Sequence, residues 1–212
     1  MQIKYLNKVE STQLFLKSYI QTNKQEICFY TNNQTNGIGS RDNLWQGEEG
    51  NLFFSFAIDE ANLPNDLALQ SASIYFSYIF KSILEDLGSK IFIKWPNDFY
   101  INNDKIGGII TNKVDNFLLC GLGINLKKTK SFKAYLDINI KSEILLKNYF
   151  SQLNKFPSWK QIFSKYRLEF YHSKKYYTNI NNKKVLLAEA SLNNDGSLTI
   201  NGQKVFSLRC QK

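Results

Sequence analysis

The chain has 212 residues and a formal net charge of +9, with 43% hydrophobic and 21% charged residues. This balance is typical of one medium globular domain, alone or with a small appendage, and argues against intrinsic disorder. No run of about 18 apolar residues occurs and no secretory signal is visible, so no membrane span is predicted.

The cysteines and the histidine exclude several kinds of active site. Cys28, Cys120 and Cys210 are widely spaced and form no Cys-x-x-Cys pair, which predicts reduced thiols in a cytoplasmic protein. A disulfide framework or a zinc site is therefore not expected. His172 is the single histidine, so a mechanism that needs a histidine pair or triad is nearly excluded. Its aromatic surroundings favour a structural role.

Charge is distributed unevenly along the chain. Residues 1–126 carry 10 basic and 13 acidic residues, a net of −3, whereas residues 127–212 carry 17 and 5, a net of +12. Only three of the 27 basic residues are arginine, the residue that most often reads guanine edges, so sequence-specific DNA binding is not expected. The basic segment is either a solvated surface or a docking face for an acidic partner.

Hydrophobic periodicity and turn residues predict an α/β pattern followed by a β tail. The predicted strands cover residues 3–9, 26–31, 51–58, 91–95, 99–101, 105–111 and 117–124. One predicted helix is capped by Ser11 or Thr12, a second follows Pro64–Asp66 and stops at Gly88, and two more cover residues 142–153 and 158–171. The tail, residues 183–208, has three short β segments that turn at residues 194–196 and 201–202.

Three polar patches could carry chemistry, and two of them contain two glycines spaced by one residue. In residues 34–45, Gly37 and Gly39 let backbone N–H groups approach a ligand, although an ordinary turn between strands fits the same pattern. The run Gly-Leu-Gly-Ile-Asn, residues 121–125, ends an apolar strand but lacks the third glycine of a dinucleotide-binding loop. A dinucleotide-binding fold is therefore not supported, and a simple glycine-rich bend stays open.

The remaining patch is the run Lys-Trp-Pro-Asn-Asp, residues 94–98, which ends a predicted strand. Polar groups at this end of a strand commonly bind ligands in α/β sheets. Lys94 and Lys105 are suited to hold anionic oxygens, and Asp98 to accept a proton or bind Mg²⁺. A Pro-Asn turn with a surface ion pair would give the same spacing.

Taken together and in order, these motifs resemble the biotin protein ligase family, the biotin–[acetyl-CoA-carboxylase] ligases. The similarity is clearest over residues 9–125. It implies an α/β (α+β) fold in which a mixed β-sheet is flanked by helices, a class II synthetase-like catalytic domain of residues 1–180, and a small C-terminal SH3-like β domain of residues 181–212. It also implies a monofunctional enzyme without the winged helix-turn-helix of some relatives.

The resemblance implies an ATP-dependent ligase that makes biotinyl-5′-AMP and passes biotin to a lysine of a biotin carboxyl carrier domain. Mg²⁺ would arrive with ATP, near Asp98, without a dedicated protein cage. Lys94 and Asp98 match the catalytic positions, and Trp45 and Trp95 are the tryptophans expected near the ligand. The matching biotin-binding positions are Ser11, Thr12, Gln13, Gln34, Gly37, Ile38, Gly39, Ser40, Lys105, Gly107 and Gly108. The matching nucleotide-binding positions are Arg41, Trp45, Asn97 and Asn125.

The loop sequence differs from the family pattern at two positions, and two other functions remain open. Ile38 and Ser40 stand where the family commonly has arginines, so we expect a looser loop and faster escape of biotinyl-AMP, with Arg41 partly compensating. A lipoate or octanoate ligase or transferase of similar fold is the nearest alternative, although its Arg-Arg-x-Ser-Gly-Gly-Gly signature is missing. A non-catalytic biotin-sensing or nucleic-acid-binding module is the other.

Overall fold

The computed structural model describes residues 1–39, 43–45, 47–129, 133–180 and 183–206. Its strands are β1 (Gln2–Tyr5), β2 (Ile27–Thr31), β3 (Gly37–Ile38), β4 (Leu44–Trp45), β5 (Leu52–Asp59), β6 (Phe92–Lys94), β7 (Asp98–Ile101), β8 (Asp104–Val114), β9 (Phe117–Ile124), β10 (Tyr177–Ile180), β11 (Lys183–Leu186), β12 (Ser191–Leu192), β13 (Leu198–Ile200) and β14 (Gln203–Val205). Its α-helices are α1 (Thr12–Asn23), α2 (Ala72–Asp86), α3 (Ser142–Leu153) and α4 (Trp159–Glu169). Within these ranges no helix has the length and apolarity needed to cross a bilayer. The cytoplasmic location expected from the cysteines stays a prediction.

A seven-stranded sheet, ordered β1-β2-β5-β9-β8-β7-β6, forms the centre of the molecule. β1 and β2 are parallel and the other neighbours are antiparallel. Side chains alternate between the two faces of each strand. On β5, Phe54 and Phe56 face the large core shared with α2 and α3, whereas Ala57 faces a smaller core under α1. The predicted mixed sheet flanked by helices is confirmed.

Along β9, the sheet face beneath α1 first carries packed apolar side chains and then only glycines. Phe117 and Leu119 pack in the small core. The next residues on that face are Gly121 and Gly123, which present no side chain. A Cβ atom at Gly121 would lie 2.5 Å from the Gln13 Oε1 atom, so other side chains lie almost on the backbone. These glycines therefore form the floor of a cleft rather than part of a core.

Helix α2 begins later than the sequence pattern predicts. It starts at Ala72, after a 3-10 turn, instead of directly after Pro64–Asp66. The Asp66 carboxylate accepts hydrogen bonds from the backbone N–H groups of Trp159 and Lys160, at 2.9 and 3.0 Å. These N–H groups belong to the first turn of α4 and have no partner within their helix. Asp66 therefore caps a distant helix rather than beginning its own.

Two other predicted segments differ in extent. β1 ends at Tyr5 rather than at Val9, and Val9 keeps only an isolated parallel bridge to Gln34. The loop of residues 32–50 contains a short hairpin, β3–β4, which a hydrogen bond of 2.7 Å from Gly39 N–H to the Asn43 carbonyl extends. Strands of two residues are too short to give a periodic sequence signal.

The tail forms small β-sheets, as predicted, and attaches to the main core through two tryptophans. β12, β13 and β14 form an antiparallel sheet, and β10 pairs with β11 across the predicted boundary at residue 180, which stays a prediction. The indole N–H groups of Trp95 and Trp159 donate to the Gly196 and Asn194 carbonyls, both at 2.9 Å. The expectation that Trp95 lies near the ligand is therefore wrong, because its buried ring holds the tail.

Candidate functional site

A cleft that is partly open to solvent lies above the bare glycines of β9. Its lining comes from the start of α1, the loop that contains the β3–β4 hairpin, the turn before β7, and strands β5, β7, β8 and β9. The lining residues are Ser11, Thr12, Gln13, Gln34, Ile38, Gly39, Trp45, Ser55, Asn97, Asp98, Lys105, Gly108, Ile109, Ile110, Gly121, Leu122 and Gly123.

One end of the cleft, which we call the neutral end, consists of Thr12, Gln34 and Ser55. The Thr12 backbone N–H donates to the Gln34 Oε1 atom at 2.8 Å, and the Thr12 hydroxyl lies 3.1 Å from the same oxygen. The Ser55 hydroxyl donates to the Thr12 hydroxyl at 2.9 Å. Since α1 begins at Thr12, capped by the Ser11 hydroxyl, this N–H has no partner within the helix. The start of the helix therefore orients the Gln34 amide.

The other end, which we call the charged end, consists of Lys94, Asp98 and Lys105. The Lys94 Nζ atom lies 3.3 Å from Asp98 Oδ2, and the Lys105 Nζ atom lies 2.6 Å from Asp98 Oδ1. Lys94 and Asp98 pair across the turn between β6 and β7, and Asp98 pairs with Gly108 on β8. Three adjacent strands therefore bring two ammonium groups to one carboxylate at the mouth of the cleft.

Aromatic rings flank both ammonium groups of the charged end. The Lys105 Nζ atom lies 5.2 Å from the centre of the Trp45 ring, and Lys94 Nζ lies 5.9 Å from that of Tyr100. Both distances are within the range of cation–π contacts. Burial first, and then the charge of Asp98, raises the pKa of Tyr100 to about 12, so its hydroxyl is neutral at physiological pH. These contacts fix the two ammonium groups without adding negative charge.

The Trp45 side chain forms a wall of the cleft. Its indole lies on the backbone of β9, because a Cβ atom at Gly123 would meet the Trp45 Nε1 atom at 2.6 Å. The buried Nε1 donor and the buried Gln13 Oε1 acceptor have no hydrogen-bond partner among the described residues. Buried polar groups in folded proteins are normally paired. Two unpaired groups that line one cleft are therefore suited to a polar ligand.

Most residues that the sequence assigned to the site line this cleft, and four of them lie outside its lining. Lys94 reaches the charged end through Asp98, whereas Gly37 and Gly107 pack against neighbouring groups. The Asn125 amide nitrogen donates to the Ala134 carbonyl at 3.2 Å, and its buried Oδ1 atom has no partner in the described part of the chain. The assigned Ser40 and Arg41 lie outside the described residues.

The structure adds lining residues that the sequence did not assign. They come from the middle of buried strands: Ser55, Ile109, Ile110, Gly121, Leu122 and Gly123. Ser55 lies in an aromatic strand, where a serine is easily taken for a tolerated small residue. Its pairing with Gly121 on β9 exposes its hydroxyl to the cleft. A serine within an otherwise apolar strand is the one sequence signal for this residue. Its pairing partner, Gly121, is known only from the strand register.

The described residues offer little to a metal ion without a bound substrate. No group of three or more histidine, cysteine, aspartate or glutamate side chains clusters within the described ranges. Asp98 is the one carboxylate among the described cleft residues, and it already pairs with two lysines. Mg²⁺ prefers a few carboxylates together with phosphate oxygens and water. The donor set therefore fits a Mg²⁺ ion that substrate phosphates bring in.

Two comparisons with curated proteins cover part of the chain. The chain is 33% identical over 101 residues to biotin–protein ligase 2 of Arabidopsis thaliana, and 28% identical over 131 residues to the bifunctional ligase/repressor BirA of Bacillus subtilis. These matches cover 44% and 58% of this chain and only 31% and 40% of those relatives. The likeness therefore concerns less than half of each relative.

A comparison with solved structures covers nearly the whole chain. The biotin acetyl coenzyme A carboxylase synthetase from Helicobacter pylori, solved with bound biotinylated ATP, is 33% identical and superposes with a TM-score of 0.92. The match covers 97% of this chain and 99% of that one. Residues 5–127 also match the Biotin/lipoate A/B protein ligase family. Because this match covers more than half of the 212 residues, the chain belongs to that family.

Proposed function

We propose that the protein is an ATP-dependent ligase that activates biotin as biotinyl-5′-AMP and transfers it to a lysine of a biotin carboxyl carrier domain. One observation carries this proposal: Lys94 and Lys105 converge on Asp98 at the mouth of a cleft whose opposite end is neutral and hydrogen-bonding. The Helicobacter pylori relative, with its bound biotinylated ATP, supports the same chemistry.

In the first step a biotin carboxylate oxygen attacks the α-phosphorus of ATP. The phosphorus–oxygen bond to pyrophosphate breaks, which leaves biotinyl-AMP. Negative charge builds on the phosphate oxygens, and positioned ammonium groups stabilise such charge. Lys94 and Lys105 take this role, and the ligand oxygens compete with Asp98 for them. Mg²⁺, when bound, neutralises the charge of the triphosphate.

In the second step the acceptor lysine attacks the acyl carbon and AMP leaves. The attacking amine must be neutral, yet a free lysine has a pKa of ~10.4. Asp98, whose side chain is 22% exposed, is close enough to the mouth of the cleft to orient the amine and accept its proton. No covalent intermediate with the enzyme is needed. The described cysteines agree with this mechanism, because burial raises the pKa values of Cys28 and Cys120 and keeps them as thiols.

The lipoate or octanoate alternative fits the cleft less well. The Gln13 Oε1 and Trp45 Nε1 atoms line the cleft and are buried, and neither has a hydrogen-bond partner among the described residues. A cyclic urea offers a carbonyl and two N–H groups to such residues, whereas a dithiolane or an alkyl chain offers none. A buried polar group left unpaired costs about 1–3 kcal/mol. This cost favours biotin over lipoate or octanoate.

Pyrophosphate exchange separates these functions. The purified protein is incubated with ATP, Mg²⁺ and labelled pyrophosphate, and then with biotin, lipoate or octanoate. We expect label to enter ATP only when biotin is present, because exchange requires the reversible formation of an acyl-adenylate. Exchange that depends on lipoate or octanoate would favour the alternative ligase. Binding of biotin without exchange would favour a biotin-sensing module.

We also propose that the basic part of the chain, residues 127–212, guides an acidic carrier domain to the cleft. Opposite charges speed the encounter of two proteins, and salt screens this effect. We expect kcat/KM for the carrier to fall ~10-fold or more between low and high ionic strength. Transfer from biotinyl-AMP to hydroxylamine, a small uncharged nucleophile, is the control. Equal salt dependence in both reactions would contradict the proposal.

A further inference from the structure

We infer that Ser55 is a specificity-determining residue whose hydroxyl oxygen accepts a hydrogen bond from one ring N–H group of the biotin urea. This inference rests on the proposed function. Ser55 is fully buried in β5 and lines the cleft, yet it belongs to none of the sequence motifs. The direction of each hydrogen bond at the neutral end leaves the Ser55 oxygen as an acceptor.

The orientation of the Gln34 amide is fixed by the backbone. The Thr12 backbone N–H can only donate, so the group that it meets at 2.8 Å must be the carbonyl oxygen of Gln34. The Gln34 NH₂ group consequently points the other way. It lies against Gly37, where a Cβ atom would be only 2.3 Å from the Gln34 Nε2 atom.

The direction of the two hydroxyl groups follows from that orientation. The Gln34 Oε1 atom carries no hydrogen, so the Thr12 hydroxyl at 3.1 Å must donate to it. With its hydrogen used, the Thr12 oxygen can only accept from the Ser55 hydroxyl at 2.9 Å. The Ser55 hydrogen is then also used. Its oxygen keeps a free lone pair, and towards the cleft it can act only as an acceptor.

The surroundings of Ser55 leave its oxygen accessible to a ligand. Ser55 pairs with Gly121 across β5 and β9, and a Cβ atom at Gly121 would lie 3.2 Å from the Ser55 Oγ atom. The Gln13 Oε1 atom lies near the same position, 2.5 Å from that Cβ atom, and has no partner within the described residues. Two acceptors beside a bare backbone suit the N–H edge of a cyclic urea. They repel a ring oxygen at the same place.

The test measures binding of biotin and of its two cyclic carbamate analogues, in each of which one ring N–H is replaced by oxygen. Calorimetry is done without ATP on the wild-type protein and on the Ser55→Ala variant. We expect wild-type protein to bind one carbamate ~10-fold or more weakly than biotin, because an oxygen would face the Ser55 lone pair. In Ser55→Ala this ratio should shrink towards one, and biotin itself should bind less tightly.

Ser77→Ala is the matched control. Ser77 is also fully buried, and its hydroxyl has no partner in the described part of the chain. This variant should keep the wild-type ratio between biotin and the carbamate. Ser55→Cys, which keeps a side chain of similar size but a weak acceptor, replaces Ser55→Ala if the latter does not fold.

The outcomes separate the two levels of the proposal. If the wild-type protein fails to bind biotin, the proposed function is wrong. If it binds biotin and both carbamates equally, or if the ratio is unchanged in the Ser55 variants, only the role of Ser55 is wrong. A carbamate penalty that disappears in the Ser55 variants and persists in Ser77→Ala supports the inference.

Discussion

The two ends of the cleft hold their polar groups in different ways. At the neutral end, the uncharged groups of Thr12, Gln34 and Ser55 are buried, and a backbone N–H fixes their directions. At the charged end, Lys105 is 38% exposed and its ion pair with Asp98 can open to admit a ligand. Under the proposed function, the buried neutral groups select the ring of the substrate, and the charged groups near water carry out the reaction.

Removing one ammonium group should impair the reaction at the charged end and leave biotin binding at the neutral end unchanged. We expect Lys94→Met to slow adenylate formation ~10²–10³-fold, because one stabilising donor to the developing phosphate charge is lost. Biotin affinity should change little, since Lys94 does not line the neutral end. Single-turnover formation of biotinyl-AMP and calorimetric binding of biotin measure the two effects. Lys90→Met, a change at an exposed lysine near the same strand, is the control.

Neutralising the carboxylate should separate the two chemical steps. We expect Asp98→Asn to slow transfer to the carrier ~10²-fold, as loss of a general base does, and to slow adenylate formation less. Single-turnover transfer from preformed biotinyl-AMP isolates the second step. Equal losses in both steps would show that Asp98 only holds the two lysines in place.

Removing one hydroxyl group should weaken biotin binding at the neutral end and leave the reaction at the charged end unchanged. We expect Thr12→Val to raise the dissociation constant of biotin ~10-fold, because Gln34 and Ser55 each lose a buried partner. The rate of adenylate formation at saturating biotin should stay close to that of wild type. Thr22→Val, at an exposed position of the same helix, is the control. A large loss of rate with unchanged affinity would contradict the separation of the two ends.

The smallest effect on activity is expected at His172. Its ring lies outside the cleft and stacks on the Phe92 ring, with 4.8 Å between the two ring centres. Burial lowers the pKa of His172, and Lys81 and Lys175 lower it further, against the opposing charge of Glu169. The unfolded chain, with a histidine pKa of ~6.5, then binds the proton first. Stability from this group is present above that pH and is lost as the pH falls towards the folded pKa.

NMR titration of this single histidine should give a pKa below the ordinary value. His172→Phe should flatten the dependence of unfolding free energy on pH near and below pH ~6.5, and should leave both chemical steps unchanged. A raised pKa, or a loss of activity, would contradict the structural role of His172.

The sequence predicts the charged end better than the neutral end. Lys94, Asp98 and Lys105 occur within twelve positions of one another, and a hairpin brings such residues together without help from the rest of the fold. The glycines of β9 and the capped start of α1 are also local signals. These features follow from short-range geometry, so the chain order alone reveals them.

Other features depend on contacts that sequence spacing does not reveal. Ser55 meets Thr12 only because β5 lies beside the start of α1, 43 residues away. Asp66 resembles a residue that begins its own helix but caps α4, and Trp95 lies in the ligase motif but holds the tail. In each case a tertiary hydrogen bond overrides the local signal.

The most direct test is a double-mutant cycle with one substitution at each end of the cleft. Biotin affinity and single-turnover adenylate formation are measured for Lys94→Met, Thr12→Val and the double variant. Since the two residues share no hydrogen-bond partner, we predict that the double variant has the affinity of Thr12→Val and the rate of Lys94→Met. If Lys94→Met lost biotin affinity as strongly as Thr12→Val, or if Thr12→Val lost the rate, the division between ring selection and chemistry would be contradicted.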